Sequence, residues 1–264
     1  MQRQNNSKRY LFQASAIGVA GRITHPFQET IPVQAASALP DDGGYGSARV
    51  DGFRYKEILS FGAAYTEVIG TEQAHHGISE TLSLSVVEKF NLLDVVTCDR
   101  IVSRLTSKYP GHDGIQETAV TPIGSRFEGL RIANDYYPLL ELSPNFFCEP
   151  AHDYWTGLLQ AIDKNGEKLP YPSLPGSDGK PAPLSEGRQR GVLGFCVAPT
   201  NLKYREVLTS PAIIPVPQFG TVHLGEFFCY PNSRSLNMLR VELGCTTGGD
   251  ANAGSTQGGG RPYP

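Results

Sequence analysis

An apolar pattern that occurs twice along the chain restricts the folds available to it. The segments Val50–Val68 and Val87–Leu105 align without a gap as Φ-x-x-Φ-x-Φ-x-acid-Φ-Φ, where Φ is an apolar residue. Less complete copies occur in FEGLRIANDY and FGTVHLGEFF, and the first three copies start about 37–40 residues apart, a spacing typical of repeat proteins. Such a unit cannot bury its own apolar face, so the copies are expected to pack on one another.

Apolar and polar residues alternate within each copy, as they do in a β-strand that has one buried face. Phe90 and Leu92 alternate with Lys89 and Asn91, and the residues that follow are rich in β-branched side chains. A helix would instead place its apolar residues three and four positions apart. We interpret the acid at Asp94 as a bend, which makes each copy a strand–bend–strand unit.

Composition also favours strands joined by turns. The 264 residues include 29 glycines and 20 prolines, and only 19% of the residues are charged. We therefore predict an all-β protein built of stacked, repeated β-arches in the manner of a solenoid. A two-sheet antiparallel β-sandwich would bury the same residues and is the alternative.

Three parts are expected along the chain. Residues 1–49 form an N-terminal extension with the first strands, and residues 50–244 form the β-repeat domain, with a proline-rich insertion near 170–189. Residues 245–264 form a glycine-rich C-terminal arm. The insertion and the arm lack apolar periodicity, so neither is expected to pack as a core strand. Both are expected to be mobile in an isolated subunit and ordered against a neighbouring copy.

Three segments, NLLDVVTCDRIVSRLTS, PIGSRFEGLRI and LNMLRVELG, resemble segments of an uncharacterised β-rich family of bacterial proteins. The resemblance covers much of the chain from about Val50 onward. It implies a bacterial source and a β-rich fold. It implies no activity and no catalytic residue.

Residues that could carry chemistry are few. The densest reactive cluster is FFCEPAHDYW, where Cys148, His152 and Asp153 are weak catalytic candidates, because a Cys–His pair can form an activated nucleophile. His75 and His76 would point to opposite faces of a strand, so a solvated loop is favoured over a metal site. The five cysteines are widely spaced, so we expect reduced, mostly buried thiols rather than a disulfide framework or a zinc site.

Charged residues recur near the polar positions of the pattern. Asp99, Arg100, Arg104, Arg126 and Arg131 could form a charged stripe on stacked units, and ordinary outward-facing charge is the simpler interpretation. The net charge of -3 argues against a general nucleic-acid binder, which would normally carry a basic face.

Two classes of function fit these observations. The favoured one is a structural or self-assembling β-rich protein without catalytic activity, which forms a homo-oligomer and has no cofactor, metal, nucleic-acid partner or membrane span. The alternative is a hydrolase or ligand-binding protein with a loop-borne site near Cys148–Asp153 and an unknown ligand. We recognise no signal peptide, so a cytoplasmic location is expected, with export by a leaderless route as the alternative.

Overall fold

The computed structural model describes residues 9–73, 77–111, 117–142, 192–195, 213–230, 232–244 and 247–263, and every regular element in these ranges is a β-strand. In chain order the strands are β1 (Arg9–His25), β2 (Glu29–Ala38), β3 (Gly44–Tyr55), β4 (Leu59–Gln73), β5 (Ile78–Leu92), β6 (Val96–Tyr109), β7 (Ala119–Thr121), β8 (Arg126–Ile132), β9 (Asp135–Glu141), β10 (Val192–Phe195), β11 (Ile213–Val216), β12 (Gly220–Tyr230), β13 (Ser233–Leu243) and β14 (Gly248–Tyr263).

The strands form two antiparallel sheets that pack face to face. Sheet A has the order β10-β12-β13-β14-β1-β2, and β11 also pairs with β12. Sheet B has the order β3-β4-β5-β6-β8-β9, and β7 also pairs with β6. Strands β1 and β14 of sheet A lie against β4, β5 and β6 of sheet B. The all-β prediction is confirmed, and the two-sheet sandwich named as the alternative is the arrangement observed.

The stacked β-arches are not observed, because the two aligned segments are β-hairpins. An arch places its two strands in different sheets, whereas Val50–Val68 spans the hairpin of β3 and β4, and Val87–Leu105 spans that of β5 and β6. The residue interpreted as a bend, Asp94, lies in the second hairpin turn. Leu93 and Asp94 there have positive φ angles of 54° and 53°.

Three hairpin turns of sheet B lie side by side at one end of the sandwich. The backbone N–H of Leu93 donates to the carbonyl oxygen of Ile58 at 2.8 Å, and the N–H of Ala133 donates to that of Val95 at 2.8 Å. These bonds join the turns after β3, β5 and β8 into one row. The row defines what we call the turn end of the sandwich.

The spacing Φ-x-x-Φ marks the place where a strand changes the face that it buries. Strand β5 buries its odd-numbered residues as far as Val87 and its even-numbered ones from Phe90, and the change occurs at Lys89, whose φ is 53°. Gly52 in β3 and Gly129 in β8 have φ angles of 68° and 64°. All three lie in one row across sheet B, so the strands change face together and stay paired.

The central apolar residues of the four copies are buried to different extents. Phe90, Leu130 and Val222 are buried, whereas Phe53 is only half-buried and stacks on Phe61 with ring centroids 5.3 Å apart. Val222 lies in sheet A and the other three lie in sheet B. Common burial alone does not establish a duplicated unit, and the internal repeat stays a prediction.

The glycine-rich C-terminal segment forms a central strand, so the expectation that residues 245–264 would not pack as a core strand was wrong. Strand β14 pairs with β1 on one side and with β13 on the other. Its buried residues are alanine, glycine and threonine, which let the two sheets approach closely: a Cβ atom on Gly254 would lie 2.9 Å from Cγ2 of Ile101 in sheet B. Close backbone packing replaces large apolar side chains here. The three-part division of the chain stays a prediction.

Buried hydroxyl groups join the two sheets beside β1 and β14. The bonds run from Ser83 to the carbonyl oxygen of Gln257 (2.6 Å), from Ser85 to that of Ile17 (2.8 Å), and between the hydroxyls of Ser103 and Thr256 (2.7 Å). Buried polar groups are costly without a partner, so these bonds fix how one sheet lies on the other.

Candidate interaction surface

Edge strands are where a sheet can accept another chain, because one side of each has unpaired backbone groups. The edge strands longer than four residues among the described ranges are β2, β3 and β9. Pro32 lies inside β2 and Pro138 lies inside β9, and a proline removes a backbone N–H from the edge. Strand β3 has twelve residues and no proline. Among the described edges, β3 is therefore the one best suited to accept a further strand.

The outward face of β3 carries exposed side chains of the kinds that interfaces use. Tyr45, Ser47, Arg49 and Asp51 alternate with less exposed residues along the regular part of the strand, and Tyr45 is 64% exposed. Tyrosine and arginine are enriched at the energetic centres of protein interfaces. The edge of β3 thus combines backbone groups that pair with no other strand among the described residues with side chains that could hold a partner.

Arg49 and Asp51 form an exposed ion pair within β3. The guanidinium Nε of Arg49 donates to both carboxylate oxygens of Asp51, at 2.9 and 3.0 Å. The hydrogen bond from Arg49 lowers the pKa of Asp51, and the same bond raises the pKa of Arg49. Both groups are charged at neutral pH. Exposed pairs of this kind contribute little to stability, so either residue can exchange its partner.

Tyr65 on β4 links this pair to the neighbouring strands. The guanidinium carbon of Arg49 lies 5.8 Å from the centroid of the Tyr65 ring. On the other side, Arg100 of β6 donates from Nη2 to the Tyr65 hydroxyl at 2.9 Å, and this bond raises the pKa of Arg100. Glu88 of β5 lies 3.9 Å from Arg100. The network holds the Tyr65 ring in place beside β3.

The other charged residues of the predicted stripe make local contacts. Arg126 donates to Glu128 at 2.7 Å, and the guanidinium of Arg131 lies 4.2 Å from the centroid of the Tyr136 ring. Asp99 is exposed beside Gly129. Arg104 donates to the carbonyl oxygen of Ile123 at 3.3 Å. These contacts support the simpler interpretation of outward-facing charge, and a near neighbour contacts each of the side chains of Arg104, Arg126 and Arg131.

A second charged group lies on β12 and β13 of sheet A. Glu226 is only 2% exposed, and Arg240 donates to its two oxygens from Nε (2.8 Å) and Nη2 (2.5 Å). His223 has a ring nitrogen 3.7 Å from Glu226 and another 3.7 Å from Glu242. Burial lowers the pKa of His223, and the positive charge of Arg240 lowers it further. Because Arg240 occupies both oxygens of Glu226, this group holds β12 and β13 together.

A cleft of about 500 Å³ opens at the turn end, between turns of the two sheets. It is lined by Leu93, Asp94, Val95, Ala133, Asn134, Val216, Pro217, Gln218, Phe219 and Thr247. No lysine or arginine is among these residues, and the only charge is the carboxylate of Asp94, whose Oδ1 accepts a bond from the Asn91 side chain at 2.6 Å. The cleft therefore suits a neutral polar ligand better than an anion.

The catalytic candidates Cys148, His152 and Asp153 lie outside the described residues, as do His75 and His76 and the insertion near 170–189. In the described part of the chain, no cluster of three or more His, Cys, Asp or Glu side chains is arranged to hold a metal ion. Nor does any helix in these ranges have the length and apolar character needed to cross a membrane.

Cys98 is a buried free thiol, as expected of the cysteines. It is 2% exposed, and its Sγ contacts the carbonyl oxygens of Arg100 and Glu128 at 3.3 and 3.2 Å. Burial raises the pKa of the thiol to about 12. A thiol in this state is a poor nucleophile, because the thiolate is the reactive form.

Comparison with known proteins gives a family and no activity. No curated protein and no solved structure matches the chain. The family model described as "Domain of unknown function (DUF8256)" matches residues 10–154, which include β2 to β9 and nearly all of β1. More than half of the chain is covered, and the resemblance to an uncharacterised family is confirmed. The chain belongs to the DUF8256 family.

Proposed function

We propose that this protein is a structural β-sandwich subunit that associates with copies of itself and has no catalytic activity. The observation that supports the proposal is strand β3, a twelve-residue edge without proline whose second side has no strand partner among the described residues. Soluble proteins normally blunt such edges, as this chain does at β2 and β9. An edge left open beside two blunted ones indicates a site of association.

The side chains beside this edge add contact area to the backbone bonds. Tyr45 is largely exposed, and Tyr65 is held beside β3 by Arg49 and Arg100. A pre-positioned aromatic ring loses little conformational freedom when a partner covers it, which favours binding.

Sedimentation velocity over a wide range of protein concentration tests the proposal. We expect species heavier than the 28.6 kDa chain, with a fraction that rises with concentration. A chain that sediments as a 28.6 kDa monomer at every concentration would overturn it.

A pair of matched variants tests whether β3 is the edge used. Ser47→Lys places a charge on the outward face of β3, and Val33→Lys places one on β2, where Val33 is 52% exposed. Lysine on an edge strand opposes strand addition. Ser47→Lys should weaken association and Val33→Lys should leave it unchanged. The reverse order of effects would assign association to β2.

Ligand binding is a second candidate function, and the cleft at the turn end supports it. Asp94, Asn134 and Gln218 offer hydrogen-bond acceptors beside the apolar side chains of Leu93 and Phe219. This combination suits a small neutral molecule that carries hydroxyl groups. Titration with glucose and with N-acetylglucosamine, followed by amide chemical shifts, should move the signals of residues 93–95 and 133–134. Unchanged signals at saturating sugar would remove this candidate.

Four further points stay predictions: catalysis at Cys148, His152 and Asp153, the bacterial source, the internal repeat and the cytoplasmic location. Activity of the purified protein on a panel of ester and peptide substrates, lost in Cys148→Ala, would favour the hydrolase alternative over the structural one.

A further inference from the structure

Strand β3 carries a charge pattern that is complementary to itself. Arg49 and Asp51 are two residues apart, so both side chains project from the same face, and Val50 between them projects from the other. Read from the N-terminus, the order is Arg49, Val50 and Asp51, which is positive, apolar, negative. In the opposite direction it is negative, valine, positive, so a second copy in antiparallel orientation presents the matching charges.

We infer that two copies of this chain pair their β3 strands antiparallel about a two-fold axis at Val50, with Arg49 of each copy facing Asp51 of the other. The inference rests on the proposed self-association and names its surface and its register. A two-fold contact repeats every pairing, so this register makes two ion pairs across the interface. The two copies of sheet B then form one continuous sheet.

The other two-fold registers near this point are less favourable. Residues that lie directly opposite each other in neighbouring strands project from the same face of the sheet. A change of register therefore has to keep the alternation of side chains in step in the two strands. An axis at Arg49 sets the two arginines opposite each other, and an axis at Asp51 sets the two carboxylates opposite each other. Like charges directly opposite each other in neighbouring strands are destabilising. Of these three registers, only the axis at Val50 joins opposite charges.

The residues on either side of this axis fit the same register. Val50 faces Val50 of the second copy, and β-branched pairs are favourable across strands. Gly52, where β3 changes face with φ +68°, would lie opposite Ala48 of the second copy. A Cβ atom at Gly52 would have no heavy atom within 4 Å, so no neighbouring group crowds the face of β3 at the point where it bends.

Charge reversal on β3 tests the register. In Arg49→Asp each strand presents two carboxylates, and in Asp51→Arg each presents two guanidinium groups. Each variant alone should therefore dimerise about tenfold or more weakly than the unmodified chain. An equimolar mixture of the two variants should form a heterodimer, because every facing pair is then opposite in charge. The double variant R49D/D51R should dimerise as the unmodified chain does.

Sedimentation velocity of the four proteins and of the mixture gives the readout. Both side chains are exposed, at 61% and 65%, so circular dichroism and the unfolding midpoint should show intact folds and serve as the control. If the unmodified chain dimerises and all the variants dimerise equally well, the register is wrong and the proposed function stands. If the single variants weaken dimerisation and neither the mixture nor the double variant recovers it, the facing of Arg49 and Asp51 is wrong. If the unmodified chain stays monomeric, both the inference and the proposed function fail.

Discussion

Replacing Gly254 with alanine adds one methyl group at a position where β14 lies in close contact with sheet B. Its Cβ atom would lie 2.9 Å from Cγ2 of Ile101 and 3.3 Å from Cβ of Met238. The φ angle of +68° at this position is also unfavourable for an L-residue. Gly52 has the same φ angle, and a Cβ atom there would have nothing within 4 Å. The variant Gly52→Ala therefore measures the backbone cost alone.

The two variants should lose different amounts of unfolding free energy, because only the site at Gly254 is crowded. A left-handed backbone at a residue with a side chain costs roughly 1–2 kcal/mol, which is the whole expected loss of unfolding free energy in Gly52→Ala. Insertion of a methyl group into a packed interior adds roughly 1–3 kcal/mol, so Gly254→Ala should lose about 2–5 kcal/mol.

Urea unfolding followed by circular dichroism measures both losses. The comparison uses protein concentrations at which both variants are monomeric, because Gly52 lies in the proposed interface. Equal m-values allow the midpoints to be compared directly. Equal losses in the two variants would refute the argument that small residues of β14 bring the sheets into contact.

Three further predictions follow from β14, Cys98 and His223. Deleting residues 247–264 removes the strand between β1 and β13, so the product should lack cooperative unfolding, and a normal unfolding transition would show that β14 is dispensable. Cys98 should resist a maleimide in the native protein at about pH 8 and react after unfolding, because burial raises its thiol pKa; peptide mapping that finds Cys98 labelled in the native state would contradict this. The pKa of His223 is lowered on folding, so the unfolded chain binds more protons and stability should fall as the pH drops below about 6.5. His223→Gln should reduce that loss, and identical pH profiles for the two proteins would count against a buried neutral imidazole.

The alternation of residues such as Phe90 and Leu92 was sufficient to predict strands, because it depends on neighbouring positions only. The choice between arch and hairpin was not predictable in the same way. A strand–bend–strand segment can pair with itself or across to another sheet, and distant partners decide between these outcomes. Turn residues Leu93 and Asp94 lack the glycine that commonly marks such a turn, so the hairpin had no strong local signal.

The position of β14 could not be predicted from apolar content, since its buried residues are small. A strand in the middle of a sheet gains hydrogen bonds on both sides, and this gain depends on the partners β1 and β13 rather than on its own side chains. The candidate interface was missed for a related reason. Which strand lies at an edge follows from the strand order of the whole sheet, and neither Arg49 nor Asp51 reveals it locally.

The two sheets differ in how far apart along the chain their partners lie. Sheet B is built mostly from consecutive strands between β3 and β9, so its contacts can form early and each closes only a short loop. Sheet A joins β1 to β14, which lie near opposite ends of the described chain. During synthesis β1 is made before its partner β14. Until β14 has been made, the edge of β1 with which it pairs is open to pairing with other chains. We expect sheet B to form first and sheet A to close last, with aggregation before that closure as the main hazard of folding.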